Sequence, residues 1–106
     1  MRVSVLGVAV DAITRTEALD RVRQLLEGGG QHVIVTPNPE MVMAAQRDER
    51  LRGIVNAASL AAPDGTGLIW ALKRKGIAAE RVPGVELMVD ICALAAQRGL
   101  RVFLCG

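Results

Sequence analysis

The sequence predicts an α/β fold with a mostly parallel sheet and helices on its faces. Short β-branched or apolar segments alternate with segments whose apolar residues recur at helical spacing. Polar clusters follow two successive predicted strands, which is where ligands bind in parallel α/β proteins. The last predicted strand is apolar on both faces, as is typical of a buried parallel strand.

The first predicted elements are a strand or small hairpin and then a helix. Val3 to Val10 is an apolar run that Gly7 divides, and its composition indicates β structure rather than a secretory signal. Thr14 and Glu17 have the spacing of a capping box. Apolar residues follow at helical spacing until Gly28-Gly29-Gly30 ends the helix.

The middle of the chain predicts two strands with two helices between them. His32 to Thr36 is a β-branched strand, and Asn38 can cap a helix that has Pro39 at its first position. Asp48 can cap the next helix. Ser59 to Ala62 then forms a second short strand.

The last third predicts two helices and a strand. Gly67 to Lys75 is helical, and a loop from Ile77 to Pro83 delivers Arg81 just before a long helix from about Val85 to Arg98. Leu100 to Cys105 is the final strand, which we expect to lie parallel to the two earlier strands in one sheet. The long helix should bury an apolar face made of Leu87, Val89, Ile91, Leu94 and Ala95.

Composition limits the function classes. The 106 residues carry a net charge of only +2, with one Trp, one Phe and no Tyr, so a base-stacking nucleic-acid surface is not expected. The basic cluster Lys73-Arg74-Lys75 is interpreted as a solvated helix end, rather than a patch facing a membrane or phosphate. Cys92 and Cys105 have no metal-ligand spacing and are expected to be small buried hydrophobes in a reducing compartment.

The sequence stops at Gly106, at the end of a predicted strand. A doubly wound domain should continue there with a loop and a crossover helix that cover one sheet face. We therefore expect residues 1–106 to be the N-terminal part of a single longer domain, truncated at the C-terminus.

Asp64 is the leading catalytic candidate, because it lies between a strand end and a helix start, beside backbone N–H groups that favour anions. Thr36 and Asn38 close the preceding strand in the same way. The alternative is that all three residues only cap helices. Asp-Gly-Thr also occurs in aspartate-nucleophile phosphatases, but Ala62 stands at the nucleophile position.

The common nucleotide-binding patterns are absent from the sequence. It contains neither G-x-G-x-x-G nor the Walker motif. It also has no Asp-x-Asp pair to hold a divalent metal on a sugar diphosphate. Stabilisation of a leaving phosphate would then come from backbone amides or Arg.

Four ordered motifs resemble the WecG/TagA/CpsF glycosyltransferase family over essentially the whole chain. They are Thr36-Pro37-Asn38-Pro39-Glu40, Pro63-Asp64-Gly65-Thr66-Gly67, Arg81-Val82-Pro83-Gly84-Val85-Glu86-Leu87-Met88 and Gly99-Leu100-Arg101-Val102-Phe103-Leu104. Departures from the family pattern are mild and fall at Pro37 and Pro83.

The resemblance implies a Rossmann-like enzyme that needs no cofactor or metal and inverts the anomeric centre. It would transfer an N-acetylmannosamine-type or related sugar from a UDP-sugar donor to a polyprenyl-diphosphate-linked acceptor, in bacterial cell-surface polysaccharide or teichoic acid biosynthesis. Asp64 is implied as general base. Substrate binding is expected from Thr36, Asn38, Gly65 and Arg81.

The resemblance also implies a cytoplasmic enzyme that is peripheral at the inner face of the cell membrane. Its membrane association would depend on a carboxyl-terminal region that family members carry beyond the last strand. A homo-oligomer is left open. The competing interpretation is an inactive fragment or a non-enzymatic nucleotide-binding α/β domain, in which the same polar residues only cap helices.

Overall fold

A computed structural model describes residues 1–103, and they form a mixed α/β fold. The chain begins with a hairpin, in which β1 (Arg2–Val5) and β2 (Val8–Asp11) pair antiparallel. Leu6 and Gly7 connect them with φ values of 49° and 81°, and positive φ at both residues is what a type I′ turn requires. The run from Val3 to Val10 is therefore a small hairpin.

Within residues 1–103 five helices follow at the predicted places, and side-chain caps explain where the first three begin. Thr14 and Glu17 form the expected capping box, and the side chains of Asn38 and Asp48 each accept a hydrogen bond from a first-turn N–H. The helices are α1 (Arg15–Glu27), α2 (Pro39–Ala45), α3 (Glu49–Ala57), α4 (Thr66–Arg74) and α5 (Gly84–Arg98). Helix α4 ends in the basic cluster, as predicted.

The strands β3 (Ile34–Val35) and β4 (Leu60–Ala61) are parallel, as expected. Backbone hydrogen bonds continue their pairing on both sides of these short strands. They run from Ser59 N to Val33 O at 2.8 Å, from Ala62 N to Val35 O at 3.0 Å and from Asp64 N to Pro37 O at 2.8 Å. The two polar motifs therefore leave the paired segments at the same edge.

Two hydrophobic clusters support this arrangement. The first joins the hairpin to α2, α3 and α4 through buried side chains that include Val10, Val42, Val55 and Leu72. The second joins α1 and α5 to β4 through side chains that include Val22, Leu60, Val82 and Leu87. Burial of these apolar side chains is the main force that holds the short strands in place.

The predicted single sheet is present only in part. The pair β3–β4 is a two-stranded sheet separate from the hairpin, so residues 1–103 do not establish a Rossmann-like sheet. Leu100 to Phe103 form no strand, because within residues 1–103 no neighbouring strand pairs with their backbone, and Phe103 is 91% exposed. Leu104 and Cys105, the rest of that predicted strand, lie outside the described residues.

Helix α5 buries a narrower face than predicted. Four of its five predicted core residues are buried or partly buried: Leu87, Ile91 and Leu94 belong to or pack against the second cluster, and Ala95 is 2% exposed. Val89 is 58% exposed and Cys92 is also exposed, so the predictions that they are buried are wrong. Helix α5 contacts α1 along one stripe, and these two side chains fall outside it.

Candidate functional site

The carboxylate of Asp64 lies just beyond β4 and accepts hydrogen bonds from two different segments. Gly84 N donates to Oδ2 at 3.1 Å, and Arg81 Nε donates to Oδ1 at 3.3 Å. Because Asp64 N also donates to Pro37 O, the backbone on which the carboxylate is mounted is held in place. The Asp64 side chain is 25% exposed, so the carboxylate is accessible from solvent.

Asp64 does not cap the helix that follows it. The N-cap of α4 is Gly65, and no side chain accepts a hydrogen bond from the first turn of that helix. The carboxylate instead lies at the N-terminus of α5, where the helix dipole favours a negative charge. The interpretation that Asp64 caps the helix directly after it is therefore wrong.

Thr36 lies in the same cluster through its contact with Gly84. A Cβ on Gly84 would lie 2.7 Å from Thr36 Oγ1 and 3.4 Å from Asp64 Oδ2. The threonine hydroxyl and the carboxylate oxygen therefore border the same small space beside the start of α5. Thr36 caps no helix in residues 1–103.

Asn38 has a different local role. Its Oδ1 accepts a hydrogen bond from Met41 N at 2.8 Å and so caps α2, as the capping interpretation states. Its Cβ lies 3.9 Å from the position of a Cβ on Gly65, so it stays close to the start of α4. The cap uses only the oxygen, and the side-chain amide NH₂ is the group that Asn38 can offer to a ligand.

Gly65 has a conformation and a packing that only glycine allows. Its φ is +100°, and a Cβ there would lie 3.1 Å from Pro39 Cδ. The absence of a side chain lets α2 and α4 begin side by side. The first-turn N–H groups of α4 are thereby brought next to the end of the Thr36 motif.

The loop that carries Arg81 is held in place by contacts of its two neighbours, Glu80 and Val82. Val82 is buried, and its N–H donates to Pro63 O at 2.9 Å. The Glu80 carboxylate accepts a hydrogen bond from Arg15 N at 3.1 Å, which ties the loop to the start of α1. The Arg81 side chain is 54% exposed and can therefore contact both Asp64 and a ligand.

Sequence reasoning missed Gly84 as a site residue. Its signal is the Pro83-Gly84 pair at the start of a long helix, which places the free N–H of Gly84 at the first helical position. What the sequence cannot show is that this N–H points at a carboxylate 20 residues earlier.

The described part of the chain contains neither a metal-binding cluster nor a membrane-spanning helix. Within residues 1–103, no three His, Cys, Asp or Glu side chains lie close enough together to hold a metal ion. Over the same range, none of the helices combines the length and the apolar character of a bilayer span.

Fold and site together define a mixed α/β protein with a polar cluster at the carboxyl ends of two parallel strands, where proteins of this class bind ligands. The model of the glycosyl transferase WecG/TagA/CpsF family matches residues 3–106. The chain belongs to this family, which confirms the resemblance of its motifs.

Curated relatives agree with this assignment. Proteins named N-acetylglucosaminyldiphosphoundecaprenol N-acetyl-beta-D-mannosaminyltransferase from Staphylococcus aureus strains NCTC 8325, COL and N315 are each 33% identical to this chain over 108 residues. The match covers 99% of this chain and 42% of each relative. The chain thus spans less than half the length of the relatives it matches.

Proposed function

We propose that this chain supplies the catalytic base and part of the donor site of a glycosyltransferase. The enzyme transfers an N-acetylmannosamine-type sugar from a UDP-sugar to an N-acetylglucosamine carried on a polyprenyl diphosphate. Family membership and the names of the relatives support the reaction class and the lipid-linked acceptor. Because that acceptor is a membrane lipid, we place the enzyme at the inner face of the cell membrane, where it makes cell-surface polysaccharide.

The observation that carries the proposal is the setting of Asp64. Its carboxylate is solvent-accessible, is held by one N–H and one guanidinium, and is not used to cap its own helix. A general base needs a fixed position and a free lone pair within reach of the proton it accepts. The two hydrogen bonds fix the position of the Asp64 carboxylate, and a lone pair remains for the proton because each carboxylate oxygen can accept more than one hydrogen bond.

The proposed chemistry is a single displacement. The acceptor hydroxyl oxygen attacks the anomeric carbon of the donor sugar while its proton moves to the Asp64 carboxylate. The bond from that carbon to the UDP oxygen breaks, and its electron pair leaves with UDP. Because attack and departure take place on opposite faces, the anomeric configuration is inverted.

Negative charge that develops on the departing diphosphate needs nearby donors. Arg81 is half-exposed beside Asp64, and the uncapped first turn of α4 after Gly65 offers backbone N–H groups. The sequence has no Asp-x-Asp pair for a metal at the sugar diphosphate. In line with the family resemblance, we propose that these donors stabilise the leaving group without a metal ion.

Thr36 and Asn38 are proposed to orient the sugar and the acceptor. The Thr36 hydroxyl borders the same space as the Asp64 carboxylate. The Asn38 amide NH₂ lies on the motif that runs beside the start of α4. Groups that align the reacting atoms raise the rate by removing unproductive orientations.

Asp64→Asn tests the proposal in the longest natural reading frame that contains this sequence. Asparagine can still accept the hydrogen bond from Gly84 N but is not a base, so turnover should fall roughly 10²–10⁴-fold. Donor binding and thermal stability should change little. Transfer is measured with UDP-N-acetylmannosamine and a lipid-linked N-acetylglucosamine diphosphate.

Asp48→Asn is the matched control, because Asp48 only caps α3 and asparagine caps equally well. This variant should transfer sugar at the wild-type rate. If Asp64→Asn also does so, Asp64 is not the base. A wild-type protein that binds the UDP-sugar without transferring it would instead support the non-enzymatic nucleotide-binding domain.

A further inference from the structure

Arg15 contacts both ends of the segment that holds the Asp64 carboxylate. Segment 80–86 carries the two hydrogen-bond donors to that carboxylate, Arg81 Nε at 3.3 Å and Gly84 N at 3.1 Å. Arg15 is the first residue of α1. Its backbone contacts the first residue of the segment, and its side chain contacts the last.

Two hydrogen bonds attach the beginning of segment 80–86 to the start of α1. Glu80 N donates to Ile13 O at 3.3 Å, and the Glu80 carboxylate accepts a hydrogen bond from Arg15 N at 3.1 Å. The Arg15 N–H is one of the first N–H groups of α1, which have no partner within the helix, and the helix dipole favours a carboxylate at this end. Arg81 therefore follows a residue that is held through both its backbone and its side chain.

The Arg15 guanidinium attaches the other end of the segment to α1. Its Nη1 lies 3.0 Å from Glu86 Oε2, and its Nη2 lies 3.5 Å from Asp90 Oδ2. These two carboxylates are at i and i+4 on α5, so their like charges would repel each other without a cation between them. The planar guanidinium can contact both at once. The first half of α5, which begins at Gly84, is thereby attached to α1.

The apolar contacts of the segment agree with this attachment. Val82 lies between the two donors and is buried in the second hydrophobic cluster, which also contains Leu87. Ile13 packs against the same cluster from the start of α1. Val82 N also donates to Pro63 O, directly before Asp64 in the chain. Helix α1 thus supports the segment at the place where it lies beside the candidate base.

The ordinary interpretation of the Arg15 contacts is a solvent-exposed ion-pair cluster. The Arg15 side chain is 49% exposed, and exposed pairs contribute little to stability. Arg15 differs in position from a pair such as Arg23–Asp20, which lies within one helix. It joins two helices and the loop between the donors, so its effect is expected on the geometry of the site and not on stability.

We propose that Arg15 is a positioning residue for the general base. It holds segment 80–86 so that Arg81 Nε and Gly84 N both donate to the Asp64 carboxylate. It acts through these two donors and not by contact with the substrate. The proposal rests on the proposed function, in which Asp64 accepts the proton of the acceptor hydroxyl.

Arg15→Gln tests the proposal in the longest natural reading frame that contains this sequence. Glutamine keeps the backbone N–H that donates to Glu80 but removes the cation. Because the reacting groups lose alignment, kcat should fall roughly tenfold, while KM for UDP-N-acetylmannosamine changes little. Glu86→Gln combined with Asp90→Asn removes the partners of the same cation and should lower kcat to a similar extent.

Arg23→Gln is the matched control, because Arg23 is 53% exposed on the same helix and pairs with Asp20 at 3.1 Å. It should transfer sugar at the wild-type rate, and its urea midpoint should be close to that of Arg15→Gln. Equal kcat values for the two variants would overturn the proposal. A urea midpoint of Arg15→Gln far below that of Arg23→Gln would overturn it too, because Arg15 would then act through folding.

Combination with Arg81→Gln separates a positioning role from a general one. One of the two donors is already absent in Arg81→Gln, so adding Arg15→Gln should lower kcat by a smaller factor than it does in wild type. The same fold loss in both backgrounds would mean that Arg15 acts elsewhere, which contradicts the proposal.

Amide hydrogen exchange keeps this proposal distinct from the proposed function. Gly84 N–H donates to Asp64, so its exchange should be faster in Arg15→Gln than in wild type or Arg23→Gln. If exchange is faster but the wild-type protein transfers no sugar, positioning by Arg15 is supported and the proposed function fails. If transfer depends on Asp64 while Arg15→Gln changes neither exchange nor kcat, the proposed function is supported and positioning by Arg15 fails.

Discussion

Gly84 N donates a hydrogen bond to Asp64 Oδ2 at 3.1 Å and so connects the start of α5 to the end of β4. The same glycine leaves room for Thr36, whose Oγ1 would lie 2.7 Å from a Cβ at position 84. The geometry of the candidate base therefore depends on how α5 docks. A residue without a side chain is needed at the point where the three groups meet.

Gly84→Ala should destabilise the chain and reduce sugar transfer. The new methyl group overlaps the Thr36 side chain, and overpacking of this kind costs about 1–3 kcal/mol. Urea denaturation measures the first effect and the transfer assay the second. Gly53→Ala in α3 is the control, since a Cβ there meets nothing within 4 Å and alanine should stabilise the helix by up to about 1 kcal/mol. Similar stability changes in the two variants would contradict the tight contact at Gly84.

Arg81→Gln should lower kcat with little effect on folding. If Arg81 stabilises the departing diphosphate, its loss should cost roughly 10²–10³-fold in turnover. Its exposed ion pair with Asp64 contributes about 1 kcal/mol or less to stability. Arg98→Gln is a control at the same N–O distance of 3.3 Å, in an exposed pair with Glu27. Equal activity in both variants would remove Arg81 from the mechanism.

Asp11→Asn should destabilise the chain by about 1–3 kcal/mol, because the buried side chain loses the negative charge that strengthens its hydrogen bonds from Arg2 and Ala61. Asp11 is 5% exposed and accepts hydrogen bonds from Arg2 at 3.0 and 2.9 Å and from Ala61 N at 2.8 Å. The cluster attaches the hairpin to β4. Asp20→Asn, which alters an exposed pair with Arg23, should change stability by less than about 0.5 kcal/mol. Equal urea midpoints for both variants would show that the buried Asp11 cluster contributes no more to stability than the exposed Asp20–Arg23 pair.

Stability should fall as the solution becomes acidic. Burial alone would raise the pKa of Asp11, but hydrogen bonds from Arg2 and Ala61 outweigh it, so the pKa lies below its ordinary value. Backbone and hydroxyl hydrogen bonds with Thr14 also lower the pKa of Glu17. The unfolded chain then binds protons at higher pH than the folded chain does. The stabilisation is complete above the unfolded pKa values of about 4 and is lost as pH falls through the lower folded values.

Urea midpoints measured from about pH 7 down to about pH 3 should therefore decline at the acid end. The decline should be shallower in Asp11→Asn, because asparagine does not titrate. Parallel curves for wild type and this variant would mean that Asp11 has the same pKa in the folded and unfolded chains.

The sequence by itself determined the helices, because their signals are local. The capping box at Thr14, the caps at Asn38 and Asp48 and the glycine after Arg98 act within a few residues of the helix that they begin or end. The hairpin follows for the same reason, from a short apolar run divided by Gly7. The motifs around Thr36, Asp64 and Arg81 also pointed to the family that the comparison shows.

Tertiary structure alone decided which groups meet. The contact of Asp64 with Gly84 and Arg81, the Arg2–Asp11 pair and the exposure of Val89 and Cys92 all depend on how α5 and the hairpin pack. Helical periodicity marks an apolar stripe, but how wide a stripe is buried depends on the neighbouring element. In the same way a strand forms only where another strand supplies its hydrogen bonds, so an apolar run such as Leu100–Phe103 cannot become a strand through its own residues.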